Sequence, residues 1–470
     1  MTLFDPNEAL VEAQAAPIPV RPWRRGLIGQ GMSFAQREGS VLAMTTVGTN
    51  IVRIGSTLAL TRLLTPQVFG LVGIITSLFF MMGMLTDFGV QSFVTRDKRA
   101  EDDHYMDVVW TIHAIRGVVI STVAIALAKP IELLIDKPGF ALPFAVASIT
   151  FTISGLSSMS VIAALRRGFV RRLCWFELGI YALQVVASIA AAAVLRNAWA
   201  IILAMLLKES VRSILSYFIF PRARQNPSWD REIAFDFWRF SRVAMMSSMI
   251  TLLLAQSDKL VFARLFSLPE FGLYVIATNI ANAPTVFASS YSSRVLLPRY
   301  AVVWHDDPAA LPTAYYRQRR NLAMAYAFGA GLLVGAAHLI IRVLYDPRYA
   351  EAGLYLTLLS LSSLVGVSSW AAKQALIAVG EVRETLRTNL VRLGWLVVMG
   401  TTGYRLHGAL GLVAAVGTME FAGLAYNWWA LRRHGILNLR LEAREIGVGL
   451  VGVALGLGLN AAATLALAWL

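Results

Sequence analysis

Residues 62–71 read RLLTPQVFGL, and residues 264–273 read RLFSLPEFGL. When the sequence is offset by 202 positions, the two stretches share an Arg-Leu pair and a Phe-Gly-Leu triplet. Each copy lies at a turn between two long apolar segments, and six such segments separate the copies. Because six is even, both copies enter a membrane in the same direction. The repeat therefore predicts two parallel six-helix lobes related by an axis along the membrane normal.

The composition is that of a membrane protein. The chain has 470 residues, of which 57% are hydrophobic, and its mean hydropathy is +0.61. A water-soluble protein of this length needs more polar surface than that. A helix crosses a bilayer with about 20 mostly apolar residues, and long apolar runs recur along the sequence. Hydropathy predicts thirteen spans, at 40–64, 69–94, 108–128, 140–165, 172–195, 198–220, 237–263, 270–298, 319–344, 352–379, 386–405, 409–431 and 446–468.

The sequence thus predicts an all-α polytopic membrane protein with four parts. Residues 1–39 form a cytosolic tail and interfacial segment, and residues 40–220 form an N-lobe of helices 1–6. Residues 237–431 form a C-lobe of helices 7–12. Residues 446–468 add one C-terminal helix to the twelve core helices.

The net charge of +14 is explained by orientation in the membrane rather than by nucleic-acid binding. Lys and Arg concentrate in every second connection between spans, for example at Arg166, Arg167, Arg171 and Arg172. Such connections face the cytoplasm. The alternation predicts a cytoplasmic N-terminus. The single cysteine, Cys174, can form no internal disulfide.

Four motifs occur in order at suitable spacing. They are LALTRLLTPQVFGLVGI (58–74), LTDFGVQSFVTRDK (85–98), SDKLVFARLFSLPEFGLYVIA (257–277) and AKQALIAVGEVRETLRTNL (372–390). With them, the chain resembles the Wzx/WzxC-type polysaccharide flippases of the multidrug/oligosaccharidyl-lipid/polysaccharide exporter superfamily over about residues 40–432.

The resemblance implies twelve core helices in a V-shaped, two-lobed bundle in the bacterial cytoplasmic (inner) membrane. It also implies transfer of an undecaprenyl-diphosphate-linked oligosaccharide from the inner to the outer leaflet, by alternating access through a cationic central cavity. The product would serve exopolysaccharide, capsule or O-antigen biosynthesis. The predicted thirteenth span departs from relatives, which often have twelve or fourteen.

Charged residues within predicted spans are the candidate site. A charge at the centre of a span costs about 2.5–3.5 kcal/mol on insertion scales, so it tends to face a wet cavity or a partner. By analogy with the family, Arg53 and Lys259 are the first-choice ligands of the diphosphate, and Arg116, Lys208 and Lys373 follow. Local ion pairs are the alternative, such as Lys208 with Glu209 or Lys259 with Asp258.

Three acidic residues within the predicted spans suggest a second hypothesis, which concerns ion coupling. Asp87, Asp258 and Glu420 could couple transport to protons or sodium, or they could be salt-bridge partners of arginines, which is the preferred interpretation.

Nothing in the sequence indicates an enzyme, a cofactor or a metal site. The six histidines lack metal-ligand spacing, and the glycine runs lie in apolar helices. Two other functions stay open: a cation-coupled multidrug exporter of the same superfamily, and a membrane scaffold of a polysaccharide synthase complex. The expected partners are the lipid-linked oligosaccharide and membrane lipids, and not nucleic acid. A contact with polysaccharide polymerase or export machinery is left open.

Overall fold

The computed structural model describes residues 48–49, 52–53, 55–86, 90, 94, 99, 102–166, 169–221 and 224–468. For 85, 165–166, 170, 243–258, 260 and 466–468 it describes the backbone alone. The predicted tail (1–39), most of the first span and most of the motif at 85–98 therefore lie outside the described residues.

The regular elements of the described residues are helical. In the first half of the chain they are α1 (55–63), α2 (Pro66–Leu85), α3 (Asp103–Ile135), α4 (Ala141–Gly155), α5 (Ser160–Arg166), α6 (Val170–Leu195) and α7 (Trp199–Ile219). The second half contains α8 (Arg231–Leu265), α9 (Leu268–Tyr291), a π-helical turn (Ser292–Leu296), α10 (Leu297–Asp306), α11 (Leu311–Gly335), α12 (Ala337–Leu344), α13 (Ala352–Leu364), α14 (Gly366–Ala378), α15 (Val382–His407) and α16 (Ala409–Arg433). A last helix, α17 (Leu439–Ala468), follows.

The two halves repeat the same packing. In the first half α3 packs on α4, α4 on α7, and α6 on α7. In the second half α11 packs on α13, α13 on α16, and α15 on α16, which are the same pairs in the same chain order. This correspondence is the pseudo-symmetry of two lobes that the repeated decapeptide predicts.

Two equivalent helices are interrupted at equivalent points. The span predicted at 140–165 breaks between α4 and α5, and the span predicted at 352–379 breaks between α13 and α14. At the first break the backbone N–H of Ser158 donates to the hydroxyl of Ser216 on α7, at 2.9 Å. At the second, the Ser362 hydroxyl donates to the carbonyl of Gly417 on α16, at 2.7 Å. Serine side chains thus make polar contacts with a neighbouring helix at both breaks, and at the first break Ser216 satisfies a backbone N–H that the helix leaves free.

The count of thirteen spans remains a prediction. Each predicted span from the second onward overlaps one or two helices of the structure. By length and apolarity, however, seven described helices suffice to cross a membrane, or eight when the pair α11 and α12, bent by 68°, counts as one span. Helices α7 and α15 are long enough but carry several charges, such as Lys208 and Arg212 on α7.

Helix α17, which contains the predicted thirteenth span, is firmly joined to the bundle. Helix α17 packs along α11 through small residues on both sides. A Cβ built at Gly331 would lie 2.0 Å from the carbonyl oxygen of Gly449, and one at Gly452 would lie 2.3 Å from that of Phe328. Close approach of backbones through glycine is a common way to associate helices in a membrane.

This close approach predicts opposite effects of the same substitution at two nearby positions of α11. Gly331→Ala should lower the thermal stability of the purified protein, because overpacking costs about 1–3 kcal/mol. Gly329→Ala should leave the stability unchanged or raise it, because nothing lies within 4 Å of its Cβ position and alanine favours a helix by about 1 kcal/mol. Melting in detergent, followed by circular dichroism, measures both. Equal stability of the two variants would contradict the glycine contact.

Candidate functional site

The two copies of the repeated decapeptide meet in the structure. Helices α2 and α9 cross with their backbones in contact at Gly70 and Gly272. A Cβ built at Gly70 would lie 1.9 Å from the carbonyl oxygen of Leu268, and one at Gly272 would lie 2.0 Å from that of Pro66. No side chain fits at such distances, so the crossing requires glycine on both helices. The reciprocal contact places the symmetry axis of the repeat at this point.

The residues of the repeat also explain where helices α2 and α9 start. Proline stands in the first turn of both α2 and α9, where its missing N–H costs nothing. In the second copy Ser267 and Glu270 form a capping box, with the Ser267 hydroxyl accepting from the Glu270 N–H and the carboxylate of Glu270 accepting from the N–H of Ser267. In the first copy Thr65 occupies the cap position without a side-chain hydrogen bond.

We call the end of the bundle around residues 62–71 and 264–273 the closed end, because polar contacts join the two halves there. The buried hydroxyl of Tyr349, in the turn before α13, donates to the carbonyl of Leu64 at 2.7 Å. The guanidinium of the neighbouring Arg348 donates to the carbonyl of Arg62 at 3.2 Å. The ring of Phe69 meets that of Tyr349 edge to face, with centroids 5.9 Å apart.

An apolar cluster seals the same end. It combines side chains of both halves, nearly all of them fully buried. Its aromatic members are Phe140 and Phe144 from the first half and Phe262, Phe266, Phe271, Tyr274, Tyr345, Tyr349 and Tyr355 from the second. The rings of Phe262 and Phe266 stack at 4.7 Å, and Tyr274 meets Phe262 edge to face at the same distance. Such a plug excludes water and ions from the path between the halves.

At the opposite end, the halves are joined through the start of α8. Asp230 caps this helix by accepting from the N–H groups of Ile233 and Glu232, which lowers the pKa of its carboxyl below the ordinary value. His104 at the start of α3 lies 3.6 Å from Asp230, and Arg99 pairs with Asp236 at 3.0 Å. These ion pairs are exposed to solvent and therefore weak, whereas Ile233 and Phe237 of α8 are buried in an apolar cluster with Tyr105, Met106 and Val109 of α3.

Packing between the halves is uneven from one end to the other. Among the described helices, the extensive contacts across the halves are α2 with α9, α2 with α8, and α3 with α8. The other helices pack mainly within their own half. The halves are thus joined by a dense contact at the closed end and by one helix start at the opposite end.

In the first half, the predicted cations have partners. Arg116 on α3 donates to the carbonyl of Gly83 at 3.3 Å and to the hydroxyl of Thr86 at 3.2 Å, both at the end of α2. Lys208 lies 2.8 Å from the carboxylate of its neighbour Glu209. Lys208 therefore adopts the local ion pair that was the alternative to a role as a ligand.

In the second half, side chains of α14, α15 and α16 form a polar cluster. Glu420 on α16 accepts from Arg392 on α15 at 2.6 Å, and Arg392 also donates to Ser369 on α14 at 3.3 Å. Lys373 lies one turn further along α14, with its ammonium 5.0 Å from the ring centre of Trp370. Among the described residues, no carboxylate lies within ion-pair distance of Lys373. The cluster thus combines two cations with one acid.

The remaining predicted residues are only partly described. Arg53 is exposed, and its backbone carbonyl accepts from Ser56 and Thr57. Lys259 on α8 is half-buried. Asp87 and the side chain of Asp258 lie outside the described residues. Lys373 and Glu420 are the predicted residues that the structure brings into one cluster.

Two features were not predicted. A shallow pocket of about 440 Å³ at the start of α6 is lined by Phe169, Arg171, Arg172 and Trp175. More important, Arg319 lies within α11 and is fully buried against Glu442 and Glu445 of α17. The spacing of these two acids, one helical turn apart before the last apolar run, was the available signal.

The comparisons with known proteins agree with this architecture. The family model described as "Polysaccharide biosynthesis protein" matches residues 59–353. No curated protein matches the sequence.

Several solved structures share the fold at low sequence identity. The lipid II flippase MurJ, in an inward closed conformation, superposes with a TM-score of 0.67 at 9% identity, covering 88% of this chain and 90% of that chain. An inward-facing multidrug resistance MATE family transporter of the MOP superfamily gives a TM-score of 0.60 at 14% identity, covering 84% and 96%. The eukaryotic MATE transporter AtDTX14 gives 0.52 at 14% identity, covering 89% and 99%. These matches confirm the predicted fold class, an all-helical membrane bundle of two pseudo-symmetric lobes.

The contact between Gly70 of α2 and Gly272 of α9 predicts that adding one methyl group there separates the two helices and opens the closed end. Gly70→Ala must push α2 away from α9, so a buried position near the plug should become reactive. The readout is the rate at which a water-soluble maleimide modifies Ile75→Cys, a fully buried position, in a Cys174→Ser background. The rate should rise with Gly70→Ala. It should not rise with the matched Gly83→Ala on the same helix, which meets nothing within 4 Å. An unchanged rate in the Gly70→Ala protein would show that the crossing does not hold this end closed.

Proposed function

The chain belongs to the family of polysaccharide biosynthesis proteins, whose model matches more than half of its length, and from this premise we propose that it is a lipid-linked oligosaccharide flippase. It moves an undecaprenyl-diphosphate-linked oligosaccharide from the inner to the outer leaflet of the bacterial cytoplasmic membrane. The product serves exopolysaccharide, capsule or O-antigen assembly.

The observation that carries this proposal is the meeting of the two repeat copies at the closed end. A transporter that works by alternating access needs two like lobes that seal on one side of the membrane while they separate on the other. The contact at Gly70 and Gly272 is short and joins two glycines at equivalent positions of the repeat, one from each lobe. A scaffold has no need of such a paired crossing.

The charge pattern of the connections indicates which end of the bundle faces the cytoplasm. The connections next to the closed end are poor in Lys and Arg, whereas those at the opposite end are rich in them. By the positive-inside rule, the closed end faces outward and the substrate enters from the cytoplasmic side.

To bind, the diphosphate headgroup of the substrate needs cationic side chains whose charge is not already neutralised by carboxylates of the protein. Moving a diphosphate through hydrocarbon without compensation is prohibitively costly. Lys373 and Lys259 are half-buried, and no described carboxylate lies within ion-pair distance of either. They are the leading proposed ligands. Arg53 and Arg116 stay in the set because of the family resemblance, and Lys208 is its weakest member because Glu209 neutralises it.

A genetic experiment tests the function. Deleting the gene should abolish the surface polysaccharide and cause lipid-linked units to accumulate on the inner leaflet, and the intact gene should restore export. Normal polymer in a deletion strain that has no redundant exporter would overturn the proposal. Increased drug susceptibility with normal polymer would favour the multidrug exporter.

A substitution tests the ligands. Lys373→Ala should lower transport of the lipid-linked oligosaccharide by about 10- to 100-fold, because a hydrogen bond to a charged group contributes about 1.5–3 kcal/mol. Lys373→Arg should retain most of the activity. Arg405→Ala removes an exposed cation near the end of α15 and is the matched control. Transport is measured in proteoliposomes as the loss of substrate from the loaded leaflet. A Lys373→Ala protein as active as the control would exclude Lys373 as a ligand.

A further inference from the structure

An ion cluster lies at the interface between α11 and α17. The guanidinium of Arg319 donates to the carboxylate of Glu442 and lies 3.5 Å from a carboxylate oxygen of Glu445. The three side chains are 0%, 1% and 8% exposed, respectively. The cluster therefore has almost no access to water.

The charges of this cluster do not balance. One guanidinium faces two carboxyl groups, so two ionised carboxylates would leave one negative charge without compensation. The other groups that face the cluster are hydroxyls: Tyr300 of α10, Tyr315 and Tyr316 of α11, and Ser368 of α14. In the described part of the chain, no second cation lies within ion-pair distance of either acid.

A carboxyl group in this situation is expected to take up a proton rather than remain charged. Burial strongly disfavours an ionised carboxylate that lacks a partner, and two acids that share one site cannot both ionise easily. We propose that the interface of α11, α14 and α17 is a proton-binding site, in which Glu445 carries the proton and Glu442 is the carboxylate that pairs with Arg319.

The distances to Arg319 assign the proton to Glu445 rather than to Glu442. The Ser368 hydroxyl donates to the Oε2 atom of Glu445 at 2.8 Å, and a hydroxyl can rotate to accept from a protonated carboxyl instead. The Oε2 atom of Glu442 is buried and has no hydrogen-bond partner, so a proton there would have no acceptor. The shorter contact with Arg319 also favours the charged form at Glu442.

The site adjoins the polar cluster of the second half through α14. Ser368 contacts Glu445, while the next residue, Ser369, accepts from Arg392, which is paired with Glu420. Helix α14 also carries Lys373. A change in the protonation of Glu445 therefore acts on the helix that holds this cluster. The proton site does not depend on the proposed transport substrate.

Glutamine substitution separates the two acids, because glutamine mimics a protonated glutamate in shape and hydrogen bonding. Glu445→Gln should melt at or above the wild-type temperature at neutral pH, because the unfolded wild type releases the proton that the folded state holds. Its stability should also lack the decline that the wild type shows as the pH rises above the ordinary pKa of glutamate. Glu442→Gln should lower the melting temperature at neutral pH, since it removes the charged partner of Arg319. Both measurements use the full chain in detergent.

Infrared spectroscopy gives a readout that folding alone does not change. At neutral pH the wild-type protein should show the carbonyl stretching band of a protonated carboxylic acid, and Glu445→Gln should lose it. The band should persist in Ser368→Ala at a shifted frequency, because the hydrogen bond is lost. Absence of the band in the wild type, its survival in Glu445→Gln, or equal destabilisation by both glutamine variants would each overturn the proposal.

Discussion

The crossing of α2 and α9 at Gly70 and Gly272 is the contact on which the arrangement of the two halves depends. It brings two backbones closer than any side chain permits, and it does so at equivalent positions of an internal repeat. The apolar plug, the hydrogen bond from Tyr349 to Leu64 and the edge-to-face pair of Phe69 and Tyr349 all form around it. Because glycine has no side chain, the two backbones can pack directly against each other at this point.

Among the described residues, some charged side chains of the bundle pair with acids, and others have no described carboxylate within reach. Arg319, Arg392 and Lys208 pair with acids, as burial in a low-dielectric interior requires. Lys373 lies beside an aromatic ring and Lys259 is half-buried, and neither has a described carboxylate within reach. A cation whose charge is not neutralised by the protein can bind an anionic headgroup, whereas a paired cation mainly holds helices together. This distinction separates ligand candidates from structural ion pairs more sharply than depth in a span does.

Helix α17 is part of the bundle rather than an appendage to it. Glycines on both helices allow it to lie directly against α11, and the buried Arg319 cluster fixes its first turns. A cluster with one cation and two acids can be neutral only if it binds a proton, so the same contact that docks α17 also makes a titratable site. Packing and proton binding are in this way coupled at one interface.

The sequence by itself determined the helical membrane class, the two parallel lobes and the positions of most helices, because apolar length and the repeat at 62–71 and 264–273 are local signals. It also pointed to Lys373 and Glu420, which do fall in one cluster. It did not determine which charges find partners: Lys208 has one in the adjacent Glu209, whereas the partners of Arg319 lie 123 and 126 positions away on α17. Only the tertiary structure decided that Arg319 is buried, that α17 docks on α11, and that the two repeat copies touch each other, since pairings between distant helices depend on how whole surfaces fit and leave no local pattern in the chain.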